Sequence, residues 1–249
     1  AERKVTQVHW GGGTPTSLNP DEILELGGFI NETFQFVKDP ELGVEIDPRE
    51  LTKQHLECLR SVGFNRISLG IQDFDARVQR SVNRIQSEAL TIRVIDWVRE
   101  LGFKSMNVDL MYGLPCQKIK SFEYTLDRIV EISPDRISLF NFAYMPWLKP
   151  HQKLIKSSNL PTPELKLQLL KLSIEKLTSH GYVYIGMDHF AKPTDELTIA
   201  QKEKTLYRNF QGYSTRAGAD LYGFGISSIS QVQNTYSQNL KNINQYFLK

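Results

Sequence analysis

The run Val5-Thr6-Gln7-Val8-His9-Trp10-Gly11-Gly12-Gly13-Thr14-Pro15-Thr16 decides how this chain is read. Its first half is the β-branched, apolar kind of segment that forms a buried strand. It then stops in consecutive glycines. A glycine cluster at a strand end lets a ligand approach bare backbone, and its N–H groups suit an anion or a polar group. Thr14 adds a hydroxyl and Pro15 stiffens the exit. The pattern is neither G-x-G-x-x-G nor G-x-x-x-x-G-K-[ST], so neither nucleotide fingerprint applies. Alone, the stretch reads equally well as a structural turn or a ligand site.

Outward from it, one unit recurs. Residues 42–47, 66–72, 107–111 and 136–143 alternate or run apolar as strands do. Helices fall between them. Asn19 caps the first, with Pro20 at its first position, Asp21 and Glu22 in its first turn, and Gly27-Gly28 interrupting its middle. The others are read at 52–62, within 87–101, and at 121–131. Strands separated by helices predict βαβ units and a parallel sheet. Without a dinucleotide motif, this rhythm favours a closed or partly closed (β/α) barrel over a doubly wound sheet. Further on, Thr162 and Pro163 start another helix that ends at Gly181, and residues 182–187 read as one more strand.

The alternation places Glu45, Gln72 and Asp109 late in their strands, on the face opposite the aliphatic residues. That is where parallel barrels collect catalytic groups. A buried carboxylate needs a partner, so the implied ligand carries hydroxyls, an ammonium or both. The 249 residues have a net charge of +2, too little to argue for nucleic acid or a membrane surface. No long apolar run is present, and a soluble, cytoplasmic protein is expected. Cys58 and Cys116 lie far apart and suggest neither a disulfide framework nor a metal motif.

His9 to Pro15, Glu45-Ile46-Asp47-Pro48, Gly70-Ile71-Gln72-Asp73-Phe74, Asp109 to Pro115, Gly186-Met187-Asp188-His189-Phe190 and Arg208 to Tyr213 appear in that order. Together they resemble the oxygen-independent coproporphyrinogen III oxidases, a family of radical S-adenosylmethionine enzymes of haem biosynthesis. The glycine motif resembles the wider superfamily. The Met187 to Phe190 and Asn209 to Tyr213 stretches resemble the oxidases more narrowly.

The resemblance implies an α/β fold, a partial (β/α) barrel with parallel strands. It implies S-adenosylmethionine held by Gly12, Gly13, Thr14, Glu45, Gln72, Arg84, Asp109, Ala143 and Ile229. Arg84 is read as opening a helix, and a guanidinium suits a carboxylate such as that of methionine. Ala143 and Ile229 have only backbone or apolar contacts to offer. The implied chemistry is reductive cleavage of the cofactor on a [4Fe–4S] cluster. The 5′-deoxyadenosyl radical so formed abstracts hydrogen from propionates of coproporphyrinogen III, which lose carbon dioxide and become vinyl groups. Arg208 and Asp188 are the substrate candidates, and the protein is expected to act as a monomer with an electron donor.

The family's cluster is held by a C-x₃-C-x₂-C motif upstream of the glycines, and this chain has none. The expectation is therefore a fragment without the first strand, the cluster loop and a C-terminal helical part. It carries no metal ligand or catalytic residue, is inactive alone and is marginally soluble. Residues 1–150 would form the core barrel and 151–249 an extension of the same domain. Two alternatives stay open. A haem-binding chaperone would share the glycine motif, and an aldolase-type lyase would need a lysine late in a strand, where Lys104 comes too early.

Overall fold

The computed structural model describes residues 3–209 and 211–248, so Phe210, in one of the motifs above, lies outside the described residues. The first half alternates as expected: β1 (Val5–Trp10), α1 (Pro20–Thr33), β2 (Phe36–Ile46), α2 (Lys53–Ser61), β3 (Arg66–Gln72), α3 (Ala76–Ser81), α4 (Glu88–Glu100), β4 (Ser105–Tyr112), α5 (Ile119–Ile132) and β5 (Arg136–Asn141). Then come α6 (Pro163–Ser179), β6 (Val183–Gly186), β7 (His189–Ala191) and α7 (Glu196–Lys202). The strands form one sheet in the order β1-β2-β3-β4-β5-β7-β6. It curls into a partial barrel.

The first five strands are parallel, but β7 runs antiparallel to β5 and β6 antiparallel to β7. The expectation of parallel strands is corrected there. Gly186 and Met187 both take positive φ, 138° and 46°, and turn the chain back at once, with no room for a crossover helix. The Tyr184 hydroxyl closes that turn on the Met187 carbonyl at 2.7 Å. β7 is too short to show a period in the sequence. β2 is longer than the 42–47 reading because Asp39-Pro40 looks like a breaker. The β1–β2 register jumps from Val5↔Phe36 to Gln7↔Glu41, and that irregularity absorbs the proline.

One face of the sheet is apolar and covered by helices. Val44, Ile46, Ile67, Leu69, Val108, Leu110, Ile137 and Leu139 are buried there against Leu56, Leu59, Phe122, Leu126 and Ile129. The helix boundaries follow their caps. Asn19 and Glu22 form a reciprocal capping box, at 2.8 and 3.0 Å, and Ser87 accepts from the Leu90 amide. Gly27 does not break α1. It is where α1 packs closest, since a Cβ there would sit 2.6 Å from Val62 Cβ. Gly27→Ala is expected to destabilise the fold by about 1–2 kcal/mol, as overpacking outweighs the better helix propensity. Urea midpoints would register it.

The other sheet face is mostly polar, with Met111 and Phe140 the apolar positions near its C-terminal edge. At the N-terminal ends of the strands, Arg136 bridges Asp195 at 2.9 Å and Glu196 at 2.8 Å, and Arg66 reaches the same Glu196 oxygen at 2.8 Å. At the middle, Ser68, Asn107 and Ser138 meet across β3, β4 and β5. The C-terminal ends carry the site.

Residues Ala1–Ile199 form one compact unit and Ala200–Lys249 a second. Within the second, β8 (Tyr207–Asn209) pairs with β9 (Gly212–Ser214), and β10 (Ile229–Val232) with β11 (Thr235–Gln238), both antiparallel. Among the described residues no helix is long and apolar enough to cross a membrane.

Candidate functional site

At the C-terminal ends of β1 to β4 lies a cleft of about 190 Å³. Gly13, Thr14, Glu45, Gln72, Arg84 and Asp109, all expected cofactor residues, line it together with Asp47 and Ser68. A wider groove runs along α1, lined by Leu24, Leu26 and Phe29 with Glu22, Glu25 and Glu32, but it has no strand ends feeding it.

The glycine turn is shaped by the carboxylate beside it. His9 Nε2 lies 3.2 Å from Glu45 Oε1. A Cβ on Gly11 would meet that imidazole nitrogen at 2.6 Å and the same carboxylate oxygen at 2.7 Å, so a side chain there would push the His9–Glu45 pair aside. Gly12 follows with φ of 88°, the left-handed region that glycine enters without strain. The His9 hydrogen bond, aided by the Gly12 amide, holds the Glu45 carboxyl below its usual range against the opposing effect of burial. Nothing lies within 4 Å of where a Gly13 Cβ would be, so the turn is open on that side.

Asp109 sits at the meeting point of the strands. Ser68 Oγ donates to its Oδ2 at 3.1 Å and Asn107 Nδ2 to its Oδ1 at 2.8 Å. Ser138 in turn donates to Asn107 Oδ1 at 3.1 Å. Burial pushes the Asp109 carboxyl up to about 6, and the nearby Glu45 charge adds to this against the donors. Ser68, Asn107 and Ser138 were not singled out from the sequence, yet the period-2 alternation that selected Asp109 puts all three on its face.

Arg84 is corrected. It does not open a helix but lies in the loop between α3 and α4. Its Nη1 donates to Asp47 Oδ2 at 3.2 Å and its Nη2 to the Gly70 carbonyl at 3.1 Å. No solvated surface arginine, it is partly buried in the cleft wall. Burial drives its pKa down, opposed by Asp47. Burial also raises Asp47, but Arg49 and Arg84 together hold that carboxyl below its ordinary range. Gln72 ends β3 at φ of 69°, with an irregular step in the β3–β4 register between Gly70 and Gln72. Gln72 Oε1 and Arg84 Nε are buried without a hydrogen-bond partner, which leaves an acceptor and a donor for a polar ligand.

The remaining expected residues lie elsewhere. Ala143 follows β5, and its carbonyl accepts from Gln152 Nε2 at 3.1 Å. Asp188 is in the β6–β7 turn, where its carbonyl accepts from the Leu139 amide at 2.6 Å and its charge helps burial to raise the Tyr112 phenol. Ile229 and Arg208 belong to the second unit, where the Arg208 guanidinium lies 5.8 Å from the Tyr213 ring centroid.

The donor set fits the polar end of an aminocarboxylate and a pair of hydroxyls. It does not fit an iron–sulfur cluster. Cys58 is buried in α2, Cys116 lies beyond β4, and no group of three or more His, Cys, Asp or Glu among the described residues could hold a metal ion.

The comparisons with known proteins agree with this geometry. The Radical SAM superfamily model matches residues 1–129. The oxygen-independent coproporphyrinogen III oxidase of Synechocystis sp. is 50% identical over 246 residues, covering 99% of this chain and 53% of its own length. The Escherichia coli enzyme of the same name is 50% identical over 247 residues, covering 99% and 54%. The solved structure of coproporphyrinogen III oxidase from Escherichia coli, described as a radical SAM enzyme, superposes with a TM-score of 0.96 over 99% of this chain and 57% of that one. The chain thus spans about half the length of the curated relatives it matches.

Proposed function

The chain belongs to the radical SAM superfamily, and on that premise we propose that its cleft binds S-adenosylmethionine. We further propose that the protein oxidatively decarboxylates two propionates of coproporphyrinogen III to vinyl groups, giving protoporphyrinogen IX. The observation that carries the cofactor reading is the convergence of Glu45, Gln72, Arg84 and Asp109 with the glycine turn on one cleft. Support for the substrate is the half-identity to oxidases of that name over nearly the whole chain.

In this reading the carboxylates of Glu45 and Asp109 take the cofactor's ammonium and hydroxyl donors. Arg84 is a rigid fork already oriented by Asp47 and the Gly70 carbonyl, and it offers its unpartnered Nε–H to a carboxylate. Gln72 Oε1 accepts one more donor, and the Gly13 side of the turn gives the ligand access to backbone. Bound there, the cofactor supplies hydrogen-abstraction chemistry, while the protein orients it and excludes water. The cluster's ligands are not among these residues. Arg208 and Asp188 stand as the proposed substrate contacts.

Arg84→Leu is expected to weaken S-adenosylmethionine binding about 30-fold, since a charged partner is lost from a half-buried site. The fold should survive, because Asp47 keeps Arg49 at 2.7 Å. Isothermal titration of the variant against the native protein checks both. The reading as a whole is tested on the natural reading frame that contains these residues, expressed anaerobically and reconstituted with iron and sulfide. Paramagnetic resonance of the reduced protein should show a cubane signal that shifts when S-adenosylmethionine is added. Absence of the shift overturns the cofactor reading. A shift without coproporphyrinogen III turnover overturns the substrate alone.

A further inference from the structure

The loops that leave the C-terminal ends of the strands have lost their ladder partners, so their buried N–H and C=O groups need others. Three buried glutamines supply them. A primary amide carries donors and an acceptor on one rigid plane, and so pairs with main chain as a neighbouring strand would. Gln117 Oε1 accepts from the Gly113 amide at 2.6 Å and the Leu114 amide at 3.3 Å, just past β4. Its Nε2 donates to the Met111 carbonyl at 3.0 Å and to Asp73 Oδ2 at 2.6 Å. Gln79 Nε2 donates to the Asp73 carbonyl at 2.9 Å and the Gln86 carbonyl at 2.8 Å, while its Oε1 accepts from the Gln86 amide at 2.9 Å. Gln152 does the same past β5, joining the Ala143 carbonyl and the Met145 amide.

Asp73 ties the first two together. It is 1% exposed and directly follows Gln72, whose left-handed backbone swings its side chain toward the cleft. The other Asp73 oxygen accepts from the Asp75 amide at 2.7 Å and Thr125 Oγ1 at 3.0 Å. Gln79 continues the chain of contacts, for its main-chain carbonyl accepts from the Arg84 amide at 2.9 Å. None of these side chains lines the cleft, yet each end of the network is fixed to a residue that does.

We propose that Gln117 and Gln79, joined through Asp73, are positioning residues for the cofactor: they set the loops after β3 and β4 so that Gln72 and Arg84 present their unpartnered polar atoms to it. The proposal rests on the cleft binding S-adenosylmethionine. Its chemistry requires an amide at 117. A glutamate there has no donor for Met111 and would face the Asp73 carboxylate across 2.6 Å.

The test is the dissociation constant for S-adenosylmethionine of the full-length, cluster-loaded protein under anaerobic dialysis, with melting temperature recorded beside it. Gln117→Glu is expected to bind about tenfold more weakly, from one buried pair turned repulsive. Combining it with Asp73→Asn restores a donor facing a carboxylate, and affinity should rise clearly above that of Gln117→Glu, short of native because the Met111 carbonyl still lacks its donor. A merely structural role would not couple affinity to the swap in this way. Gln79→Glu, which loses both of its donors, should weaken binding by a similar factor. A folded Gln117→Glu or Gln79→Glu variant with native affinity overturns the proposal, and so does a folded swap that stays weak. Should Gln117→Glu fail to fold, the swap and Gln79→Glu decide. If the native protein itself binds no S-adenosylmethionine, the cleft reading has failed first, a result told apart by that control alone.

Discussion

Asp109→Asn is expected to make the ligand-free protein more stable at pH 7 and at the same time to cut S-adenosylmethionine affinity about 100-fold. Burial raises the native Asp109 carboxyl from 3.8 to about 6. The folded state therefore holds a proton that the unfolded chain releases near pH 4. A carboxyl raised in this way contributes stability that is present below pH 4 and is lost as the pH climbs through 6. At pH 7 the native fold carries an ionised, poorly solvated group, and Asn removes it. The gain is about 1–2 kcal/mol, less than the full shift because an amide cannot accept from both Ser68 and Asn107 as a carboxylate does. Asp73, also raised to about 6, contributes in the same window in both proteins and cancels in the comparison. Melting curves at pH 4 and pH 7 separate the arms. The variant should melt slightly below the native protein at pH 4, where only its lost acceptor counts, and above it at pH 7. Equal melting at both would mean the carboxylate is solvated well enough to cost nothing, and would remove the reason to expect a ligand ammonium or hydroxyl beside it.

That trade is what a binding site written into a barrel interior entails. The period-2 alternation was enough to find it: Glu45, Gln72 and Asp109 fall late in three strands on one face, at staggered heights, and the structure brings them to one cleft. Alternation reports which face a side chain takes, and the face is all these three needed. Arg84 was legible only through the resemblance, and its setting was misread. A short α3, opened by its Asp75 cap, intervenes, and Arg84 turns inward from the loop that follows it. Six residues are too few for helical periodicity to register. The glutamine clamps were not legible either. Gln79, Gln117 and Gln152 read as ordinary polar residues of a helix and loops, and their burial follows from backbone groups that only the folded loops leave unpaired. The antiparallel β6–β7 pair escaped for a related reason, because its direction is set by two positive-φ residues rather than by any hydrophobic pattern.

The other large effect lies at the opposite end of the same polar face. Arg136→Met is expected to destabilise the fold by about 3–5 kcal/mol, a fall in melting temperature of about 10 °C for a chain of this size. Arg136 is 14% exposed and its partner Asp195 only 7%, so removing the guanidinium leaves a carboxylate that water scarcely reaches. The Leu197 amide at 2.8 Å remains to Asp195, but a single neutral donor does not replace a cation. Arg66→Met should cost much less. Its closer partner Glu196 is 36% exposed and still has Arg136 at 2.8 Å, and its second, Glu41, is held only loosely at 3.6 Å. Arg136→Lys should fall between the two, since an ammonium cannot span Asp195 and Glu196 as the planar fork does. The order Met, then Lys, with Arg66→Met mildest, separates a buried plug that closes the barrel interior from a set of surface ion pairs, for which all three would change stability by less than about 1 kcal/mol. Guanidinium titrations of the three variants decide it. If the surface outcome were found, the strand starts would be open to water, and the polar face would be a solvated channel whose closed end could not keep the cleft dry.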